Sequence, residues 1–283
     1  MFPQRLRLLV FKRSINFEKN LIFLYEKANR FLMEVKVLSC ILNGQKIQVR
    51  ERTLIIEAFR KAGLEIAQLC WHPGLSSGGT CRCCLVDVKG VEELKTACST
   101  YVEEGMEISS TSDRAKDAVQ GAFSLLLSDF PLDGVGKLPK ENGLLSQYMR
   151  FSKHEAKRSE RKSEKKETTS LMNGILLDEK KCIMCSLCVK FTREVTRTNE
   201  LGVLGKGSEC SIGLIPGEQF ASNYSENIVD LCPSGALFRS SEKATQPWVC
   251  QKQKSLCNQC STGCNISVLR DPRGNVEVRP LKT

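Results

Sequence analysis

The spacing of the cysteines constrains this chain more than any other feature. The stretch CWHPGLSSGGTCRCCLVDV, Cys70 to Val88, holds four of the fifteen cysteines, and Cys98 follows thirteen residues after Cys84. Disulfides need an oxidising compartment, and no secretory signal opens the chain; Cys81, Cys83 and Cys84 are also too crowded for an easy bridge framework. Structural zinc sites are built from two close pairs of ligands, whereas here only Cys81 and Cys84 are close, with ten residues before them and thirteen after. The Gly/Ser loop GLSSGGT suits a different task, because its glycines let backbone amides approach and point at sulfur. Four thiolates wrapped by such a loop fit an iron-sulfur cluster, with Cys70, Cys81, Cys84 and Cys98 as ligands. Cys83 is the extra thiol and is expected to pack. His72 is not read as a Rieske-type ligand, because such sites use two histidines and the second one here, His154, lies in a charged linker.

The flanking sequence supplies a scaffold for that loop. From Glu34, two runs of β-formers flank Asn43-Gly44, a strong hairpin signal, and Thr53 opens a helical spacing of Leu54, Ala58 and Ala62. Strand, strand, helix, then CLVDVKG and GMEISS as short strands, predicts a β-grasp domain, and a β-grasp carrying this loop points to a [2Fe-2S] site. Ser112 heads a capped helix, SDRAKDAVQGAFSLLLSDF.

A second set of thiols has a different pattern. Cys182, Cys185 and Cys188 form C-x2-C-x2-C, and Cys232-Pro233 stands forty-three residues later. In the bacterial ferredoxin run a fourth cysteine follows three residues after the third and ligates a second cluster. Thr192 occupies that position here. The pattern therefore predicts one [4Fe-4S] cluster with Cys232 as its remote ligand. A third group, Cys257, Cys260 and Cys264, has three ligands and no fourth downstream; Cys250 is the nearest spare. That site is incomplete, a remnant, or completed by another chain.

Charge and hydropathy exclude other classes. The net charge is +10, but residues 1–32 and 152–170 carry most of it, so no broad basic face for nucleic acid is expected. No apolar run is long enough to span a bilayer, which leaves membrane association to partners. The basic, acid-poor opening suits either a mitochondrial targeting segment or a retained helical extension. No nucleophile-base pair, phosphate loop or paired carboxylate argues for independent catalysis.

The fold class expected is α+β. Residues 1–33 form the basic extension, 34–111 the β-grasp [2Fe-2S] ferredoxin-like domain, 112–151 a small helical segment, 152–170 a charged linker and 171–244 a [4Fe-4S] ferredoxin-like domain. Residues 245–283 begin a further domain.

C-x10-C-x2-C-x13-C followed by C-x2-C-x2-C-x43-C-P, with ELGVLGKGSECSIGLIPGEQFASNYSENIVDLCPSGAL, resembles the iron-sulfur half of the large (75-kilodalton) subunit of respiratory complex I. Related subunits occur in NAD-linked hydrogenases and formate dehydrogenases. The resemblance implies an electron-transfer subunit of NADH:ubiquinone oxidoreductase, peripheral on the matrix side of the mitochondrial inner membrane. Its implied partners are a flavin- and iron-sulfur-containing NADH-oxidising subunit and the other peripheral-arm subunits. An assembly role, in which clusters chiefly stabilise the fold, is the structural alternative. The family also carries a cluster held by H-x3-C-x2-C-x5-C. Alignment on Pro-Leu-Asp puts Phe130, Gly134, Lys137 and Gly143 at those positions, so that cluster is expected to be lost. Residues 245–283 resemble the start of a molybdopterin-enzyme-like domain, and a separately encoded C-terminal half is a further implied partner.

Overall fold

The computed structural model describes residues 36–128, 130, 144–151, 168–172, 174–218, 224, 226–240 and 251–281. The basic extension, most of the charged linker with His154, and Gly134, Lys137, Gly143 and Cys250 lie outside the described residues.

Asn43 and Gly44 both take positive φ, 47° and 86°, and turn β1 (Val37–Leu42) into β2 (Gln45–Arg50) as a two-residue hairpin. The Asn43 side chain accepts from Ser110 N–H at 2.8 Å and donates to Ser110 Oγ at 3.0 Å, tying this turn to the far end of the domain. Together with β3 (Leu85–Val88), β4 (Lys95–Thr96) and β5 (Glu107–Ser109), the hairpin makes a five-stranded sheet in the order β2-β1-β5-β3-β4. Only β1 and β5 are parallel. Helix α1 (Ile55–Lys61) buries Ile55, Ile56, Ala58 and Phe59 against the sheet, which completes a β-grasp. Its N-cap is Leu54, one residue later than the expected opening at Thr53, and Glu57 reaches back to accept the Leu54 N–H. Thr53 is instead buried, and its carbonyl accepts from Val102 N–H.

Helix α2 (Asp113–Leu127) starts on Ser112, whose side chain accepts from Ala115 N–H at 3.2 Å. Its apolar face, Ala115, Val119, Ala122, Phe123 and Leu127, turns inward. Against it lies α3 (Leu144–Phe151), with the Phe123 and Tyr148 rings 6.0 Å apart and tilted. The buried Gln147 side chain of α3 accepts from Gln68 N–H at 2.7 Å and donates to Gln68 O, while Leu144 N–H donates to Pro233 O at 2.8 Å. One short helix therefore touches the chain just before Cys70 and just after Cys232.

The second iron-sulfur region contains an antiparallel sheet of β6 (Thr169–Met172), β7 (Ile175–Leu177) and β10 (Leu237–Arg239), and a hairpin of β8 (Leu201–Leu204) and β9 (Ser211–Leu214). β6 begins two residues inside the stretch read as linker. Helix α4 (Leu187–Lys190) runs into a π turn at Phe191–Val195, and α5 (Asn227–Leu231) ends at Cys232. A third body is an antiparallel meander of β11 (Gln251–Leu256), β12 (Asn265–Arg270) and β13 (Val276–Pro280). Mixed sheets with few helices make the chain α+β, and among the described residues no helix is long and apolar enough to cross a membrane.

Gln147→Leu keeps the volume but leaves the Gln68 amide N–H and carbonyl without their partner. Denaturant unfolding of the protein is expected to show a loss of about 1–3 kcal/mol, against a few tenths for a solvent-facing substitution.

Candidate iron-sulfur centres

The first four thiols come together from three separate pieces of backbone. Cys70 ends the segment after α1, Cys81 and Cys84 precede β3, and Cys98 follows β4. The β3–β4 ladder fixes two of them, because Ala97 N–H donates to Cys84 O at 2.9 Å beside Cys98. All four are buried, Cys98 completely. They touch as a set. Thiol hydrogen bonds from Cys81 and Cys98 hold the Cys70 thiol well below its usual range, and one from Cys98 lowers Cys84. Donating those bonds, and then burial, push Cys81 and Cys98 up. Four sulfurs this close cannot all carry charge unaided, so a positive core among them is what would let every one ionise.

Cys83 is fully buried, and its Sγ donates to Cys81 O at 3.5 Å. Arg82, between Cys81 and Cys83, is left-handed at φ 58°. His72 is exposed, and its Nδ1 accepts from Gly74 N–H at 3.2 Å.

The second set is assembled by turns. Asp178 caps the 3-10 turn Glu179–Lys181, after which Cys182 follows; Cys185 lies just before α4, Cys188 lies within it, and Cys232 is the C-cap of α5. Met184 and Ser186 have φ of 52° and 60° and alternate with the cysteines. Non-glycine residues rarely hold such angles, and alternating hands aim successive amides at one point, as an anion-binding nest does. Burial raises Cys185 well above the ordinary thiol range, and the charges of Cys232, Cys188 and Cys182 raise it further. Cys188 is raised by burial and then by Cys232 and Cys182. Four cysteines separated in sequence thus sense each other's charge. Thr192, where a bacterial run would place its fourth cysteine, is buried and its hydroxyl donates to Val189 O at 3.0 Å.

Among the described residues no group of three or more His, Cys, Asp or Glu is gathered as a single metal ion requires. One ion needs all its donors within bonding distance of a single point, whereas an iron-sulfur cluster spreads its thiolates over several irons. Two all-thiol, largely buried donor sets fit the second chemistry.

The remaining expected positions fall elsewhere. Cys257, Cys260 and Cys264 share the loop between β11 and β12, closed by Cys257 N–H to Cys264 O at 2.8 Å, and Cys260 and Cys264 are exposed. The Thr262 hydroxyl, 3.4 Å from Cys260 Sγ, lowers that thiol from its usual value. Phe130 is buried in the core that α2 and α3 share with Cys81, Cys83 and Cys185, so an aromatic ring fills space at that position. Sequence reasoning missed Ser76, Lys190 and Glu194, which join the two sites. Ser76 lies 114 residues from Lys190 and 118 from Glu194 in the chain, and none of the three carries a local signature.

The fold and the donor sets define a ferredoxin-type iron-sulfur protein. Residues 36–113 match a 2Fe-2S iron-sulfur cluster binding domain, and residues 173–238 match the ferredoxin-like domain of NADH-quinone oxidoreductase subunit 3. The chain is 31% identical over 231 residues to the NADH-quinone oxidoreductase subunit designated G of Streptomyces coelicolor, covering 79% of this chain and 27% of that protein. It is 32% identical over 265 residues to the mitochondrial NADH-ubiquinone oxidoreductase 78 kDa subunit of Candida albicans, covering 90% and 35%. The chain is similar to these NADH-quinone oxidoreductase subunits over most of its own length and spans about a third of the length of the curated relatives it matches. A crystal structure of an NAD+-reducing [NiFe]-hydrogenase in the H2-reduced state shares the fold, with a TM-score of 0.60 at 21% identity, over 72% of this chain and 88% of that one.

The thiolate is the reactive form of cysteine and must be reached by solvent. Brief maleimide treatment of the folded protein, read by peptide mass mapping, is expected to label Cys260 and Cys264 first and to leave Cys83 unlabelled.

Proposed function

We propose that this chain is an electron-transfer subunit of a complex I-like NADH:quinone oxidoreductase. In this reading Cys70, Cys81, Cys84 and Cys98 hold a [2Fe-2S] cluster, and Cys182, Cys185, Cys188 and Cys232 hold a [4Fe-4S] cluster. Bound there, the clusters would supply one-electron exchange. The observation that carries the reading is that Cys81 and Cys83 from the first region pack in one core with Cys185 from the second. Two donor sets sharing one buried wall are placed for electron transfer between them.

The chain's own contribution is environment. Burial lowers the local dielectric, the backbone amides of Leu187 and Val189 reach the Cys185 and Cys188 sulfurs, and the Val119, Phe123 and Leu127 face excludes water from the wall. A flavin- and iron-sulfur-containing NADH-oxidising subunit would deliver electrons, other peripheral-arm subunits would receive them, and attachment to a membrane would run through those partners. The mitochondrial relative and the basic opening of the chain support a place on the matrix side of the inner membrane. The exposed Cys257, Cys260 and Cys264 loop would need a fourth ligand before it could hold a cluster. The hydrogenase fold match supports, as a second reading, a related NAD-linked complex in which electrons leave by another route. Co-purification with a hydrogen- or formate-oxidising subunit in place of quinone-site subunits would favour that second reading.

Anaerobically isolated protein is expected to hold about six irons and six acid-labile sulfides per chain, with two distinct EPR signals after dithionite reduction. Cys84→Ser should remove the signal of the smaller cluster and Cys185→Ser that of the larger, each leaving the other. Zinc without sulfide would overturn the electron-transfer reading.

A further inference from the structure

Ser76 sits in the middle of the Gly/Ser loop between Cys70 and Cys81, and every polar group of it is engaged by the helix that follows Cys188. Its N–H donates to Glu194 Oε2 at 2.8 Å, its hydroxyl donates to Glu194 Oε1, and its carbonyl accepts from Lys190 Nζ at 2.8 Å. The contact is close on the inner side as well. A Cβ on Gly78 would stand 2.7 Å from Lys190 Nζ and 3.7 Å from the Cys70 carbonyl oxygen, so the ammonium lies against the backbone of the loop that Cys70 opens. Lys190 ends α4 and Glu194 lies in the π turn, where the chain closes through Thr196 N–H to Phe191 O at 3.2 Å. Such turns widen a helix locally and are common at functional positions. The hydroxyl and amide of Ser76 also hold the Glu194 carboxyl below its usual range.

Resting on the two-cluster reading above, we propose that Lys190 and Glu194 are positioning residues for the [2Fe-2S] site. They clamp the loop around Ser76 to the second domain, and their opposite charges tune the cluster that the loop encloses. Reduction adds one negative charge to a cluster. A nearby ammonium stabilises that added charge and a nearby carboxylate opposes it. The two side chains grip the same residue, so both contribute to holding the loop, yet their effects on the potential have opposite signs. Loss of a purely mechanical clamp would not separate them.

The test is an EPR-monitored redox titration of the anaerobically isolated full chain carrying Lys190→Met, Lys190→Arg or Glu194→Gln. Hydrogen exchange of residues 72–80 is measured alongside. Lys190→Met is expected to move the midpoint potential of the [2Fe-2S] signal to more negative values, and Glu194→Gln to more positive ones. Lys190→Arg should stay at the wild-type value, and iron content should be unchanged in all three. Both shifts should shrink in high salt, as exposed charges are screened. Loss of either clamp partner should speed amide exchange in 72–80 severalfold, with the Lys190→Met effect the larger because Glu194→Gln keeps a side-chain carbonyl that still accepts from Ser76. Unchanged potentials, or shifts in the same direction for both neutral variants, would overturn the proposal while leaving the two clusters in place. Absence of a [2Fe-2S] signal from the wild-type protein would overturn both the two-cluster reading and this inference.

Discussion

The constraint on which the rest depends is the burial of thiols that must ionise to bind a cluster. Each donor set brings four cysteines together, all of them buried except the partly exposed Cys182, and no carboxylate or imidazole in the two sets shares the load. The hydrogen bonds they donate keep the protons on Cys81 and Cys98, and burial, then the charges of neighbouring cysteines, keeps those on Cys185 and Cys188. Thiols that must ionise to bind couple the gain from binding to the stability of the fold around them. The surrounding apolar residues, from Val86 and Ala97 on one side to Ile228 and Val229 on the other, are packed as they are because that core must exclude water from charged sulfur.

From this follows the role of the middle segment. Helices α2 and α3 have no donor of their own among the described residues, but their apolar faces make the wall between the two sites. Gln147 and the Leu144 amide reach to Gln68 and Pro233, and so fix that wall to one neighbour of each donor set. Where the family resemblance places a histidine ligand, this chain has Phe130, buried beside Leu127 and Leu144. A ring there adds packing area to the wall and offers no lone pair to iron.

How much of this was legible depends on the range of the interaction. The cysteine spacings were readable because a cluster loop is a local object, closed by glycines and by turns within a few residues. The Asn43-Gly44 hairpin and the Ser112 cap were readable for the same reason, since each is decided by one or two side chains acting on their own backbone. Strand β4 has two residues and no periodicity to read. The π turn after Cys188 leaves no mark in composition. Ser76 reads as one more small loop residue until the fold brings Glu194 to it.

The order of pairing in the first sheet has a kinetic meaning. Every cysteine of the first set lies between β2 and β5, yet the domain closes only when β5 comes back parallel to β1, the two ends of the segment held by Asn43 and Ser110 across 67 residues. Such a closure is non-local and therefore slow compared with forming the hairpin or α1. In the two-cluster reading, a first site assembled this way would become receptive to iron and sulfide only after the sheet has closed.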